Sequence, residues 1–266
     1  MNSIEIIKKI IKKKEFSNLP EIDVELAFEK FNKDRYLDEE KIKLTRNLLR
    51  KVFSSFTSQK ILSLRNLNKK DEEWFLKKHL STRERYDYYE DIYQRILKNI
   101  NSKKEISIID LGAGVNGFSY KYFEKLGFKV DYLATESIGQ LVNLMNSYFE
   151  KESLKKTKAI HLSLFNLDFV EKLIKKTNKP RVLFLFKVID SLEMLKRDYS
   201  KEIISNLISL VDIIVLSFPT KSLIRKTEFK AKRKWITNFI EDNFNVLDDF
   251  KLSGERYIIF QKKKYK

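Results

Sequence analysis

Ten consecutive residues carry the clearest chemistry in the chain: Ile108-Ile109-Asp110-Leu111-Gly112-Ala113-Gly114-Val115-Asn116-Gly117. An apolar β-branched run ends in an acid and enters a Gly-x-Gly turn, where the absence of a Cβ lets the backbone come close to a ligand. A lone Gly-x-Gly is often only a tight turn. It gains weight from Tyr132-Leu133-Ala134-Thr135-Glu136, a second short run whose terminal acid falls 26 residues after Asp110. At that distance a carboxylate can accept both hydroxyls of a ribose. Other chemistries are closed by composition. With no cysteine, disulfides, thiolate metal sites and cysteine nucleophiles are excluded. His79 and His161 are the only imidazoles, so neither a structural zinc nor a multi-histidine metal site is expected.

The elements that must position these groups change character along the chain. From Ile4 to about Arg95 apolar residues recur three and four apart, as in Ile6, Ile10 and Ile11 or Leu44, Leu48, Leu49 and Val52, which predicts helices throughout. Breaks are expected at Ser17-Asn18-Leu19-Pro20 and between Asn66 and Lys70, ahead of Asp71-Glu72-Glu73. A long helix is predicted from Ser81 to about Ile100, with Ser81 as N-cap and Glu84 closing a capping box. After Lys104, β-branched runs alternate with amphipathic segments: Ile106 to Asp110, Val130 to Thr135, Lys158 to Leu162, Val182 to Phe186 and Ile213 to Ser217, then Phe244 to Phe250 and Tyr257 to Gln261. Five strands separated by helices, then two joined by a short link, predict an α/β doubly wound sheet ending in an antiparallel hairpin. The expected organisation is a helical unit over 1–104 and a Rossmann-like, seven-stranded catalytic unit over 105–266. The glycine loop and acid alone fit a nicotinamide cofactor, since Gly117 completes Gly-x-Gly-x-x-Gly, as well as S-adenosylmethionine (SAM). The closing hairpin and the helical extension favour SAM.

The formal charge of +17 is spread over both halves of the 266 residues. That balance favours a polyanionic partner, because neutralising phosphates releases condensed counterions. A chain rich in Lys, Ile and Asn can also use lysines simply to solvate its faces. The first residues, MNSIEIIKKIIKKKEF, alternate Ile and Lys at helical spacing and lack the apolar run of a signal peptide or membrane span. A soluble, cytoplasmic protein without a membrane partner is expected.

Several blocks, read together, resemble the aminoglycoside-resistance 16S rRNA guanine-N7 methyltransferases of the Arm/Rmt type. They are His79-Leu80-Ser81-Thr82-Arg83-Glu84-Arg85 with Tyr89 and Tyr93 behind it, Asp110 to Asn116, and Ala134-Thr135-Glu136 followed by Leu141, Val142 and Asn146. Further along come Phe186-Lys187-Val188-Ile189-Asp190-Ser191-Leu192-Glu193, Ser217-Phe218-Pro219-Thr220-Lys221-Ser222-Leu223 and a closing Gly254-Glu255-Arg256-Tyr257-Ile258. The likeness covers nearly the whole chain in the right order.

The resemblance implies roles for matching residues only. Arg85 would grip the methionine carboxylate of SAM, a bidentate task suited to a guanidinium; its alternative is a helix-surface arginine paired with Glu84 or Asp87. Asp110, Gly112 and Gly114 would line the methionine end and Glu136 would hold the ribose, although Asp110 could instead cap a helix. Lys187, after the fourth strand, stands where this fold presents groups to substrate. Ser217 and Phe218, after the fifth, would meet the target base through a hydroxyl and a ring face, unless Phe218 is core. His79 reads as a structural hydrogen-bonder, and Trp74 and Trp235 as packing residues. Lys8, Lys9, Lys12, Lys13, Lys14, Arg46, Arg50 and Lys51 would dock folded rRNA through phosphates. The implied substrate is 16S rRNA within the 30S subunit and the implied state a monomer. Guanine N7 carries a free lone pair, so the reaction needs alignment and desolvation but no general base. The chain departs from the family at Gly117 (proline there), Glu136 (aspartate), Ser163 (an acid after the third strand) and Ile224-Arg225-Lys226 (a Gly-Gly pair).

Overall fold

The computed structural model describes residues 2–54, 57, 59–62, 70–98, 100, 105–220 and 233–263. Among the described residues seven helices come first: α1 Ser3–Ile11, α2 Glu21–Glu29, α3 Asp38–Leu49, α4 Gln59–Leu62, α5 Glu72–Lys78, α6 Leu80–Arg85 and α7 Tyr89–Leu97, with a π turn at Arg50–Ser54 and a 3-10 turn at Tyr86–Tyr88. Their limits follow local chemistry. Asn2 and Glu5 form a capping box on α1, Asn2 Oδ1 accepting from the Glu5 amide at 2.8 Å. The predicted break at Ser17 to Pro20 is present, with Pro20 in the cap position of α2. Asp71 caps α5 by accepting from the Trp74 amide at 2.8 Å. Of the second expected break, residues 66–69 lie outside the described residues.

The single helix predicted from Ser81 to Ile100 does not form. α6 begins one residue earlier, with His79 at the cap, and a 3-10 turn separates it from α7. Ser81 and Glu84 match the capping-box spacing, yet both side chains are engaged elsewhere. Ser81 Oγ lies 3.0 Å from His79 Nδ1, and the Glu84 carboxylate pairs with Lys187. Thr82 donates to the carbonyls of Leu76 and His79, which fixes the α5–α6 corner.

From residue 106 strands and helices alternate: β1 Ile106–Leu111, α8 Tyr120–Lys125, β2 Val130–Glu136, α9 Gly139–Lys151, β3 Thr157–His161, α10 Leu167–Lys175, β4 Arg181–Phe186, α11 Ile189–Leu195, α12 Tyr199–Leu207, β5 Ile213–Pro219, α13 Lys234–Asn243, β6 Phe244–Leu252 and β7 Glu255–Lys262. The sheet order is β3-β2-β1-β4-β5-β7-β6, parallel except for β7, which runs antiparallel to both neighbours. All seven strands stand within two residues of the predicted limits. The order reverses between β1 and β4, the crevice where open α/β sheets take ligands. The β6–β7 link is a two-residue turn, Ser253 and Gly254, both at positive φ, and it pairs Leu252 with Glu255. Asn146 of α9 pins edge strand β3, its side chain bonding both the amide and carbonyl of Ala159.

Apolar burial covers both sheet faces. One cluster runs continuously from Ile6, Val24 and Leu49 through Tyr89 and Tyr93 to Ile106, Phe184 and Tyr257, so the N-terminal helices share a core with one face of the sheet. The other face is packed by α10 to α13 through residues such as Val170, Ile203 and Ile240. Trp74 packs edge-on against Phe75. Trp235 does not fit its packing expectation: it is an exposed ring on α13.

Candidate cofactor-binding site

The carboxyl ends of β1, β2 and β4 open into a cleft with a largely apolar lining. Gly112, Gly114, Glu136 and Lys187 all line it, so four of the eight residues singled out from the sequence converge on one space. The N-terminal helices close it from the other side with Asp23, Val52, His79 and Ser81.

The glycine turn is held by β2. The amides of Gly112 and Ala113 both donate to the Thr135 carbonyl at 3.0 Å. Gly112 and Gly114 have φ of +69° and +61°, a region that favours glycine, and a Cβ on Gly114 would stand 2.9 Å from His79 Cε1. Glu136 joins the two strand ends, Oε2 accepting from the Gly114 amide at 2.8 Å and Oε1 from the Ile138 amide at 2.9 Å. Each oxygen keeps a second lone pair for a ribose hydroxyl. Burial raises the Glu136 pKa against the pull of the Ile138 and Gly114 amides. His79, buried over the glycine turn, is pushed down to about 3 by burial first and then by Arg85 and Lys187, so it is a neutral imidazole.

Behind the cleft lies a buried ionic cluster. Arg85 is 1% exposed and is not a lining residue. Its Nε lies 3.1 Å from Glu255 Oε2, its Nη1 donates to Asn116 Oδ1 at 3.0 Å, and its guanidinium stacks 4.8 Å from the Phe186 ring, which does line the cleft. It pairs with neither Glu84 nor Asp87. Lys187, at φ +57°, turns its Nζ into the same cluster, onto Glu84 and, at 3.1 Å, Glu255. A non-glycine residue held there stores roughly 1–3 kcal/mol of strain, which functional sites tolerate. Burial alone would raise the Glu255 pKa, but Arg85 and Lys187 overcome it and lower it. Asp110 is wholly buried and caps no helix. Its Oδ2 accepts from Asn116 Nδ2 at 2.7 Å and Tyr132 OH at 2.6 Å, while Oδ1 has no partner among the described residues. Burial raises its pKa, with Tyr132 and Asn116 opposing.

Ser217 and Phe218 do not reach the cleft. Ser217 donates to Glu255. Phe218 is 3% exposed, inside the second apolar cluster, with the Arg233 guanidinium 5.1 Å from its ring. Of the same motif, Lys221, Ser222 and Leu223 lie outside the described residues, as do Ile224, Arg225 and Lys226. Sequence reasoning did not assign roles to Asn116, Glu255 or Asp23. Asn116 stands inside the glycine motif and was open to notice. Glu255 follows a Ser-Gly turn and is a lone acid opening an apolar strand, a weaker signal. Among the described residues no cluster of three or more metal-ligating side chains exists.

No protein-family model matches the sequence, and no curated protein sequence matches it. Solved structures do. The 16S rRNA methyltransferase RmtF, in complex with S-adenosyl-L-homocysteine, superposes with a TM-score of 0.75 at 18% identity, covering 99% of this chain and 100% of that one. An rRNA methylase from Escherichia coli gives 0.76 at 15% identity, over 98% and 100%. The 16S rRNA methylase ArmA is 25% identical, with a TM-score of 0.56 over 77% of this chain and 97% of its own. The chain has the fold of these methyltransferases. The seven-stranded sheet with its reversed β7 is therefore the Rossmann-like SAM-dependent methyltransferase sheet that the sequence led us to expect, and the motif resemblance points to the same proteins.

Proposed function

We propose that the protein is a SAM-dependent rRNA methyltransferase that modifies N7 of a guanine in the decoding site of 16S rRNA, within the 30S subunit. The observation that carries this reading is the convergence of Gly112, Gly114, Glu136 and Lys187 on one cleft at the β1/β4 switch point of a methyltransferase sheet. The residues present fit the cofactor: a glycine turn at positive φ lining the cleft, a Glu136 carboxylate with free lone pairs, and behind the turn a buried Asp110 oxygen without a partner among the described residues.

When bound, SAM supplies a methyl group on sulfonium and leaves as a neutral thioether. Everything else is the work of this chain. Gly112 and Gly114 admit the ligand to the backbone, and Glu136 orients the ribose. Asp110 holds the amino group of the methionine moiety. Lys187 lines the cleft and Arg85 lies one layer deeper, and these two cations, held by Glu255 and Glu84, would supply donors to the methionine carboxylate. Ser217 fixes Glu255 and thereby those cations. Phe218, with Arg233 over its ring, would act through packing at the end of β5 rather than by touching the base. No general base is required at N7, in keeping with a neutral His79. Catalysis then consists of alignment and exclusion of water.

Residues 1–104 would form the docking unit and 105–266 the catalytic unit of a cytoplasmic monomer, with aminoglycoside resistance as the outcome. No helix among the described residues is long and apolar enough to cross a membrane. The test is incubation with labelled SAM and purified 30S subunits, followed by borohydride and aniline cleavage and primer extension. A stop at one decoding-site guanine is expected. Label on free RNA only, on protein or nowhere would overturn the proposal, and label at another rRNA position would overturn the choice of nucleotide.

A further inference from the structure

One acid in the cleft belongs to no strand. Asp23 sits in the first turn of α2, is 1% exposed, and lines the cleft beside Ile138, Leu164 and Phe165. Its Oδ1 accepts from Ser163, the residue after β3. Its Oδ2 is buried with no hydrogen-bond partner among the described residues. Burial raises its pKa to about 6, with Ser163, Ser137 and His161 pulling the other way, so it is ionised at neutral pH. A buried carboxylate oxygen left without a donor is destabilising, and a donor on a ligand would offset that.

The sheet order says which part of a ligand that is. Along the carboxyl edge, the groups follow as Lys187 on β4, the glycine turn on β1, Glu136 on β2, then Ser163 and Asp23 beyond β3. A nucleoside whose ribose lies at Glu136 and whose 5′ side extends over the glycine turn must direct its base towards Asp23. The walls there, Ile138, Leu141, Leu164 and Phe165, suit the two faces of a purine.

We propose that Asp23 reads the base of the cofactor: Oδ2 accepts a hydrogen bond from the exocyclic amine of adenine, with Ser163 holding the carboxylate in place. This inference rests on the reading of the cleft as a SAM site. A carboxylate accepts only, so it favours a 6-amino purine and repels a 6-oxo purine, which presents a second acceptor. It also makes the N-terminal helices part of the cofactor site, since the reader comes from α2.

Titration calorimetry with S-adenosylhomocysteine and its 6-oxo analogue S-inosylhomocysteine tests this on the full chain. The wild type should prefer the adenosyl compound by about 30-fold or more, a difference set by pairing against leaving two acceptors face to face. In Asp23→Asn the amide donates as well as accepts, so adenosyl affinity should fall roughly tenfold and the preference should close to about threefold or less. Thermal unfolding of the unliganded variant should be unchanged or raised, because a buried charge is gone; a merely structural aspartate would instead lower it and leave discrimination intact. A wild type that binds both compounds equally, or an Asp23→Asn variant that keeps full preference, overturns the inference while leaving the SAM reading in place. A wild type that binds neither overturns both, and the wild-type comparison holds whether or not the variant folds.

Discussion

Glu255 Oε2 lies 3.1 Å from both Arg85 Nε and Lys187 Nζ, and its other oxygen accepts from Ser217. One fully buried carboxylate thus bridges two buried cations, and Glu84 supplies the second negative charge at Lys187. Removing the charge in Glu255→Gln leaves them facing each other in a low-dielectric interior, and the expected loss is about 3–5 kcal/mol by urea denaturation. Arg85→Gln made in that background should cost less than in the wild type, because the pair acts as a unit; strictly additive losses would contradict the geometry. Which single residues were legible follows from this arrangement. Asp110, Gly112, Gly114, Glu136 and Lys187 end strands, and a strand end in a doubly wound sheet announces its position. Arg85 stood out by motif, but its counter-ion is 170 positions away, a pairing no local pattern encodes. Asp23 has the look of any first-turn acid complementing a helix dipole. Only the cover formed by α2 over Ser163 sets it apart.

At the level of elements, the strands were readable because β-branched runs and short polar links leave few alternatives. The helix expected from Ser81 was misjudged for a physical reason: Ser81 and Glu84 have capping-box spacing, but stronger partners, His79 and Lys187, claim both side chains. The two ends of the β1–α8–β2 connection make the sharpest prediction at this scale. In Gly114→Ala the new Cβ meets His79 at 2.9 Å as well as an unfavourable φ, whereas Gly127, at φ +77°, has nothing within 4 Å. Gly127→Ala should therefore lose only about 1 kcal/mol, the backbone cost. Gly114→Ala should lose roughly 2 kcal/mol or more and weaken S-adenosylhomocysteine binding. Shortening the neighbour in Gly114→Ala/His79→Ala should recover part of the affinity. Equal losses for the two single variants in thermal unfolding would refute the account.

Across the whole molecule the basic residues gather where α1 meets α3. Lys8, Lys9, Lys12, Lys13 and Lys14 are exposed, and Arg46 donates to the Lys9 carbonyl at 2.6 Å, holding the two helices together. Arg50 is turned inward onto Glu15 at 2.7 Å, so it is less available to phosphate than its sequence position implied. Replacing Lys9, Lys12 and Lys13 by Gln should weaken 30S binding and flatten the slope of log affinity against log salt by about 2. S-adenosylhomocysteine binding should not change, and filter binding alongside calorimetry separates the two. The helical character of this region was plain from its periodicity; that it shares one apolar core with the sheet was not, because burial across a topology is a property of the assembled chain. The late hairpin has a further consequence during synthesis. A ribosome that has released the helices and the first five strands has still not delivered residue 255, so the Arg85 guanidinium lacks its carboxylate and Lys187 has Glu84 alone. Cofactor affinity should therefore switch on only when the last strand slots between its neighbours, which makes occupancy by the nucleoside a report on completed translation.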